Sequence, residues 1–169
     1  DWVLSVANLS LVPEAVLAAA RLGGVNFHDG PLPGYAGLNA PVWALLQGER
    51  AHGVTWHLMT PGIDEGEVLA RRSFEIEAED TAFTLNARCF GAALDSFAEV
   101  VAAMEAGGQP RQPQGDGVRR VWRRAERPAA AGRLDFSQPA AAVARMVRAL
   151  DHGGYRNPLA VPKIEVAGR

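Results

Sequence analysis

A chain of 169 residues with 48% hydrophobic and 21% charged residues has the make-up of one compact globular domain, or slightly more, well outside the disordered range. Its net charge of −2 gives no electrostatic reason to expect a nucleic-acid or membrane surface. The single Cys89 excludes an internal disulfide and fits a reducing, cytoplasmic setting, and the longest apolar-rich stretch, Phe83–Met104, is interrupted by Arg88, Asp95 and Glu99, so no membrane span is expected.

The chain opens on Asp1 in what already reads as a strand, and an N-terminal portion is expected to lie before it. Trp2–Ala7 is a short apolar run of buried-strand type. Pro13 starts a helix over Glu14–Leu22, which Gly23-Gly24 ends. Val25–His28 is the next strand, and a strand–helix–strand unit implies parallel strands with a right-handed crossover. A Gly/Pro loop follows, then a helix over Ala40–Gln47 closed by Gly48, and a third strand over Val54–Met59. Thr60–Gly66 reads as a tight loop carrying Asp64 and Glu65, and Val68–Ile76 as a further extended segment. Asp80-Thr81 caps a long helix whose Phe90, Leu94, Phe97, Val101 and Met104 follow helical spacing, and Gly107-Gly108 closes it. From Gln109 to Arg133 the composition shifts to Pro, Gly, Ala and Arg, which marks a linker whose Arg119, Arg120, Arg123, Arg124 and Arg127 read as a solvated run. Leu134–Ser137 leads into a capped helix with Val143, Met146, Val147 and Leu150 on one stripe. The expected organisation is a core over residues 1–108, a linker over 109–133, and a helix and tail of a small subdomain over 134–169.

Chemistry concentrates at Val25–Gly37. Residues two apart on a strand share a face, so Asn26 and His28 project together while Phe27 points away. In open α/β sheets ligands sit at the carboxyl ends of strands, where both His28 and the Asn8–Val12 loop fall. His57 lies near the end of the same sheet, whereas His52 and His152 read as surface residues of polar turns. His28, His57 and Asp64 could in principle ligate zinc, but their spacing matches no compact metal motif, and no metal is expected. Cys89 reads as core, and Ser5 and Ser10 lack a nucleophile-elbow context. What remains is Asn26, His28 and Asp64. A carboxylate near an imidazole favours the imidazolium, and an amide N–H beside it can stabilise an oxyanion. The set suits acyl transfer through a tetrahedral intermediate without a covalent enzyme adduct.

Asn26-Phe27-His28, Leu32-Pro33, Tyr35, Gly37 and Gly62-Ile63-Asp64-Glu65-Gly66 strongly resemble the 10-formyltetrahydrofolate-dependent formyltransferase family, whose best-known type acts on methionyl-tRNA. The run Gly53-Val54-Thr55-Trp56-His57-Leu58-Met59 is similar to that family's strand before the aspartate loop. The resemblance is close over residues 1–105 and looser beyond. It implies an α/β, Rossmann-like fold with a parallel sheet and flanking helices, of which this chain would hold the C-terminal part, the N-terminal strands being absent. It implies an oxyanion-stabilising amide at Asn26, a catalytic imidazole at His28, and a carboxylate at Asp64 that raises the imidazole's pKa and orients it. It further implies folate contacts from Ser10, Leu11 and Val12, from Leu38, and from Thr60, Pro61, Gly62, Ile63 and Asp64. The implied reaction is formyl transfer from 10-formyltetrahydrofolate, the co-substrate, to a primary amine.

The acceptor is read from smaller signs. Members acting on methionyl-tRNA or amino-sugar nucleotides often carry arginines in the loop where Ala36 and Leu38 stand here. Residues His28–Pro33, Ala36–Ala40 and Tyr155–Leu159 look most like formyltransferase domains that open nonribosomal peptide synthetases. There the acceptor is an aminoacyl group on a carrier domain. On this reading nucleic acid is a partner only if the acceptor is an aminoacyl-tRNA. Formyltetrahydrofolate hydrolase, with water as acceptor, and a folate-binding module without catalysis are the competing expectations.

Overall fold

A computed structural model describes residues 1–166; the last residues of the expected tail, 167–169, lie outside the described residues. The strands are β1 (Trp2–Ser5), β2 (Gly23–His28), β3 (Ala36–Gly37), β4 (Ala51–Leu58), β5 (Val68–Glu75) and β6 (Val121–Trp122). The helices are α1 (Glu14–Ala19), α2 (Ala40–Gln47), α3 (Ala82–Glu105) and α4 (Ala140–Leu150), with a short 3-10 turn at Ala129–Gly132. The main sheet has the order β1-β2-β4-β5, and β3 and β6 form a second, two-stranded sheet. The fold is α/β, as expected.

The sheet is mixed rather than parallel throughout. β1 and β2 run parallel from Trp2–Gly23 to Ser5–Asn26, with α1 as their crossover. β4 is antiparallel to β2, and β5 is antiparallel to β4. For β5 the reason is chain length: the connection between β4 and β5 is a tight loop, and a parallel partner needs a crossover of a dozen residues or more. The β4–β5 register slips between Trp56 and His57, an irregularity of the kind often found where a side chain must be re-aimed.

Alternation divides β2 and β4 cleanly. Val25 and Phe27, with Val54 and Trp56, enter a core closed by Leu69, Ala70, Cys89, Ala93, Val100 and Ala103. Trp56 is buried and donates from Nε1 to Ser96 Oγ at 3.0 Å. Asn26 and His28 face the other way, opposite His57 and Thr55 in the register.

The expected α3 is present, held at its start by a reciprocal Thr81–Thr84 capping box and closed by Gly107 at φ 72°. Its buried face is made mostly of smaller residues than the apolar set that showed helical spacing. Leu85, Cys89, Ala93, Ser96, Val100 and Ala103 pack inward, whereas Phe90, Leu94, Phe97 and Val101 are exposed. Small side chains let the helix approach the sheet closely, and both sets share helical spacing, so periodicity alone could not choose between them.

His52 also departs from expectation: it sits on β4 and is buried, its Nε2 donating to Asp29 O at 2.8 Å. A second core gathers Val42, Trp43, Leu45, Leu85, Trp122, Ala149, Leu150 and Leu159, and thus joins α2, α3, α4 and β6. Trp43 and Trp122 stack within it at 4.1 Å between ring centroids. α4 buries Ala149 and Leu150 but leaves Val147 exposed, and the residue before it, Pro139, supplies no side-chain cap.

Candidate active site

The site is assembled from two strands and two loops. β2 ends at His28, which is buried; the following loop is stapled to β4 because Thr55 Oγ1 donates to Gly30 O at 2.9 Å. His28 Nε2 lies 2.6 Å from Tyr35 O, a carbonyl that can only accept, so this nitrogen carries the proton. The other ring nitrogen, Nδ1, faces two carboxylates: Asp64 Oδ2 at 3.6 Å and Asp29 Oδ1 at 3.9 Å. Gly30 has no room for a side chain, since a Cβ there would stand 2.9 Å from His28 Nε2 and 3.0 Å from Tyr35 O.

Asp64 arrives on the loop between β4 and β5 with φ 49°, in the left-handed region that a non-glycine residue adopts at a cost. Its Oδ2 accepts from the Gly37 backbone N–H at 2.8 Å, and its Oδ1 is 3.3 Å from His57 Nε2. Burial would push its carboxyl up, but the hydrogen bond from His57, the charge of His28 and the Gly37 N–H outweigh burial and hold its pKa at about 2. Asp64 is therefore an anion across the whole neutral range.

His57, which the sequence reading left outside the catalytic set, joins the other members. Its Nδ1 is 2.8 Å from Leu58 O and so carries a proton. Its Nε2 is 3.2 Å from Asn26 Nδ2 and 3.3 Å from Asp64 Oδ1. A neutral ring accepts there from Asn26; only the imidazolium can donate there to Asp64. Asn26 keeps a second amide hydrogen beyond the one His57 engages. The signal that could have found His57 was its place opposite Asn26, but the register that sets this is a tertiary property.

The structure thus brings Asn26, His28 and Asp64 together through His57. Leu38 follows Gly37 at the rim of the same cluster, and Thr60–Ile63 precede Asp64 in its loop. Ser10, Leu11 and Val12 lie in the loop after β1, at the same end of the sheet as His28. No described hydrogen bond joins that loop to Asn26, His28 or Asp64; Arg124 reaches it instead, donating to Leu9 O at 3.0 Å. Ala36 is fully buried in the β3–β6 pair, so it cannot meet an acceptor directly. A cavity of about 570 Å³ between Leu46, Ala129, Phe136 and Met146 lies away from this cluster and holds none of its groups.

The arrangement can stabilise developing negative charge with an amide and an imidazole while a fixed anion balances the imidazolium. Residues 1–101 match the family model described as formyl transferase. This chain belongs to that family. It is 35% identical over 151 residues to the methionyl-tRNA formyltransferase of Phenylobacterium zucineum, which covers 89% of this chain and 48% of that protein. It is 34% identical over 107 residues to the GDP-perosamine N-formyltransferase of Brucella melitensis, covering 63% of this chain and 41% of that one. The chain therefore spans just under half the length of these curated relatives. Among solved structures, HypX from Aquifex aeolicus in complex with tetrahydrofolic acid superposes with a TM-score of 0.75 at 25% identity, covering 89% of this chain and 26% of that one.

Two further groups were not legible in the sequence as parts of the site. Gln114 and Arg119 lie in the stretch read as a linker, yet both reach the Asp64 loop.

Proposed function

We propose that this chain carries the transfer centre of an N-formyltransferase that moves a formyl group from 10-formyltetrahydrofolate to a primary amine. The supporting observation is the Asp64 carboxylate set against both His28 Nδ1 and His57 Nε2, with the Asn26 amide on the same face. The amine nitrogen attacks the formyl carbon and the carbonyl electrons move onto its oxygen. The free Asn26 N–H and protonated His28 stabilise that oxyanion. As the intermediate collapses, the bond to N10 of the folate breaks. The His28 imidazolium gives its proton to the departing N10 and, once neutral, takes up the proton that the amine nitrogen loses. Asp64 stays ionised throughout and offsets the imidazolium charge. The folate is proposed to contact Ser10, Leu11, Val12, Leu38 and Thr60–Asp64. Residues 1–108 are proposed as the catalytic core, 109–133 as its connecting segment and 134–169 as the start of a further subdomain.

Three acceptor classes have support. The relatives, a GDP-perosamine N-formyltransferase and a methionyl-tRNA formyltransferase, favour an amino-sugar nucleotide or an aminoacyl-tRNA. The uncharged Leu38 at the rim favours an aminoacyl group on a peptide-synthetase carrier domain, which brings fewer phosphates to the loop.

The test is formyl transfer by the protein from 10-formyltetrahydrofolate to amino-sugar nucleotides, methionyl-tRNA and carrier-bound aminoacyl groups in parallel. Amine-dependent formation of a formamide is the expected result. Formate released at the same rate without any amine would identify a hydrolase, and tetrahydrofolate binding without turnover would identify a binding module.

A further inference from the structure

Asp64 is a non-glycine residue in the left-handed region, and such a conformation persists only where surrounding structure over-determines it. The groups that fix it come from residues 112–122, beyond the residues 1–101 that the family model matches. Gln114 Nε2 donates to Asp64 O at 2.8 Å and to Gly66 O at 2.9 Å, so one amide spans both sides of the turn. The Arg119 guanidinium donates to Asp64 O at 3.2 Å and also to Ile63 O. The carbonyls of Ile63, Asp64 and Gly66 are therefore each held by one of two side chains.

The segment bearing those side chains is itself anchored. Gln112 exchanges two backbone hydrogen bonds with Val68, at 2.7 and 3.0 Å, and Arg71 donates to Gln114 O at 2.8 Å. Farther on, Leu38 N–H donates to Trp122 O at 2.9 Å, and β6 pairs with β3. At that pair a Cβ on Gly37 would fall 2.2 Å from Trp122 O, so the Gly37 N–H that binds the Asp64 carboxylate is fixed by the same segment. The backbone and the carboxylate of Asp64 are thus both located by residues 112–122.

We infer that Gln114 and Arg119 are positioning residues that clamp the Asp64 turn and so aim its carboxylate at His28 and His57. Neither touches the reacting atoms; both act through Asp64. The inference rests on the formyl-transfer reading for its catalytic consequence, but its structural part stands on the hydrogen bonds alone. The charged groups facing the Asp64 turn are His28 and Asp29 from the end of β2, His57 from β4, Arg119 from the clamp, and Glu65 beside it. A neutral substitution at Gln114 leaves all of them in place.

The experiment compares the full chain with Gln114→Met, Gln114→Asn and Arg119→Lys, following the Asp64 carboxyl by ¹³C NMR titration. Asp64→Asn assigns the signal. Gln114→Met removes both donors without changing charge, and the Asp64 titration is expected to climb by about one unit, a tenfold gain in proton affinity. Turnover should fall about tenfold or more while the folate KM moves less than threefold. Arg119→Lys keeps the charge but loses the planar fork, and should give a smaller shift in the same direction. An unmoved Asp64 titration in a folded Gln114→Met protein overturns the inference, whatever happens to turnover. Should Gln114→Met lose its near-UV circular dichroism, Gln114→Asn, which keeps an amide one methylene short, reads the same titration. If the unaltered protein formylates no amine, the formyl-transfer reading fails alone, because the titration needs no activity.

Discussion

The two halves of the site are built on scaffolds of different kind. Asn26, His28 and His57 stand on paired strands, with a packed core of Phe27 and Trp56 directly behind them. Asp64 stands on an irregular loop, in a left-handed backbone conformation, held by side chains of a separate segment. The comparison teaches that the imidazoles owe their position to strand register and core packing, which any disturbance of the sheet would betray as lost stability. The carboxylate owes its position to a few polar contacts, which can fail while the sheet survives.

Predictions that would break this contrast run from large effects to small. His28→Ala and Asp64→Asn should each reduce formyl transfer by about 10²–10⁴-fold, and in His28→Ala tetrahydrofolate binding, measured by calorimetry, stays largely intact. Unchanged turnover in either would remove the proposed roles from both halves at once. On the strand side, Trp56→Ala should cost about 3–5 kcal/mol in denaturant unfolding, because it opens a cavity at the centre of the sheet core and removes the hydrogen bond to Ser96. A loss below 1 kcal/mol would mean the imidazoles are not supported from behind as described.

On the loop side, the Asp64 pKa is depressed from 3.8 to about 2, so its ionised form contributes stability that is complete above pH 4 and disappears as pH falls toward 2. The contribution is on the order of 2 kcal/mol, and Asp64→Asn should flatten the acid limb of the stability profile by that amount. Two identical acid limbs would show that the carboxylate is not held as an anion. The smallest effect is expected far from both halves: Thr81→Ala removes the α3 cap and should cost about 1 kcal/mol with no change in folate binding.

The sequence disclosed the strand half better than the loop half, for a physical reason. Strand alternation and Gly/Pro punctuation are local, so β2, α2, β4 and the shared face of Asn26 and His28 could be read directly. The pairing of His57 with Asn26 is set by register, and the mixed direction of the sheet by how short the β4–β5 loop is once closed; neither is written in any single stretch. The inward face of α3 was not legible because its large apolar residues, Phe90, Leu94 and Phe97, carry the stronger periodic signal while smaller ones make the contact. Gln114 and Arg119 carried no signal at all, since a polar residue in a Pro/Gly/Arg-rich stretch looks the same whether it meets water or a carbonyl.

The stacked Trp43 and Trp122 have a use of their own. Their rings lie 4.1 Å apart and 13° from parallel, with Arg120 3.5 Å above the Trp122 ring. Transition dipoles at that spacing couple, and the resulting exciton couplet in the ultraviolet belongs to the contact between α2 and the segment carrying β6. It is an intrinsic optical gauge of whether that segment is docked, readable in solution without a label, and Trp122→Phe erases it.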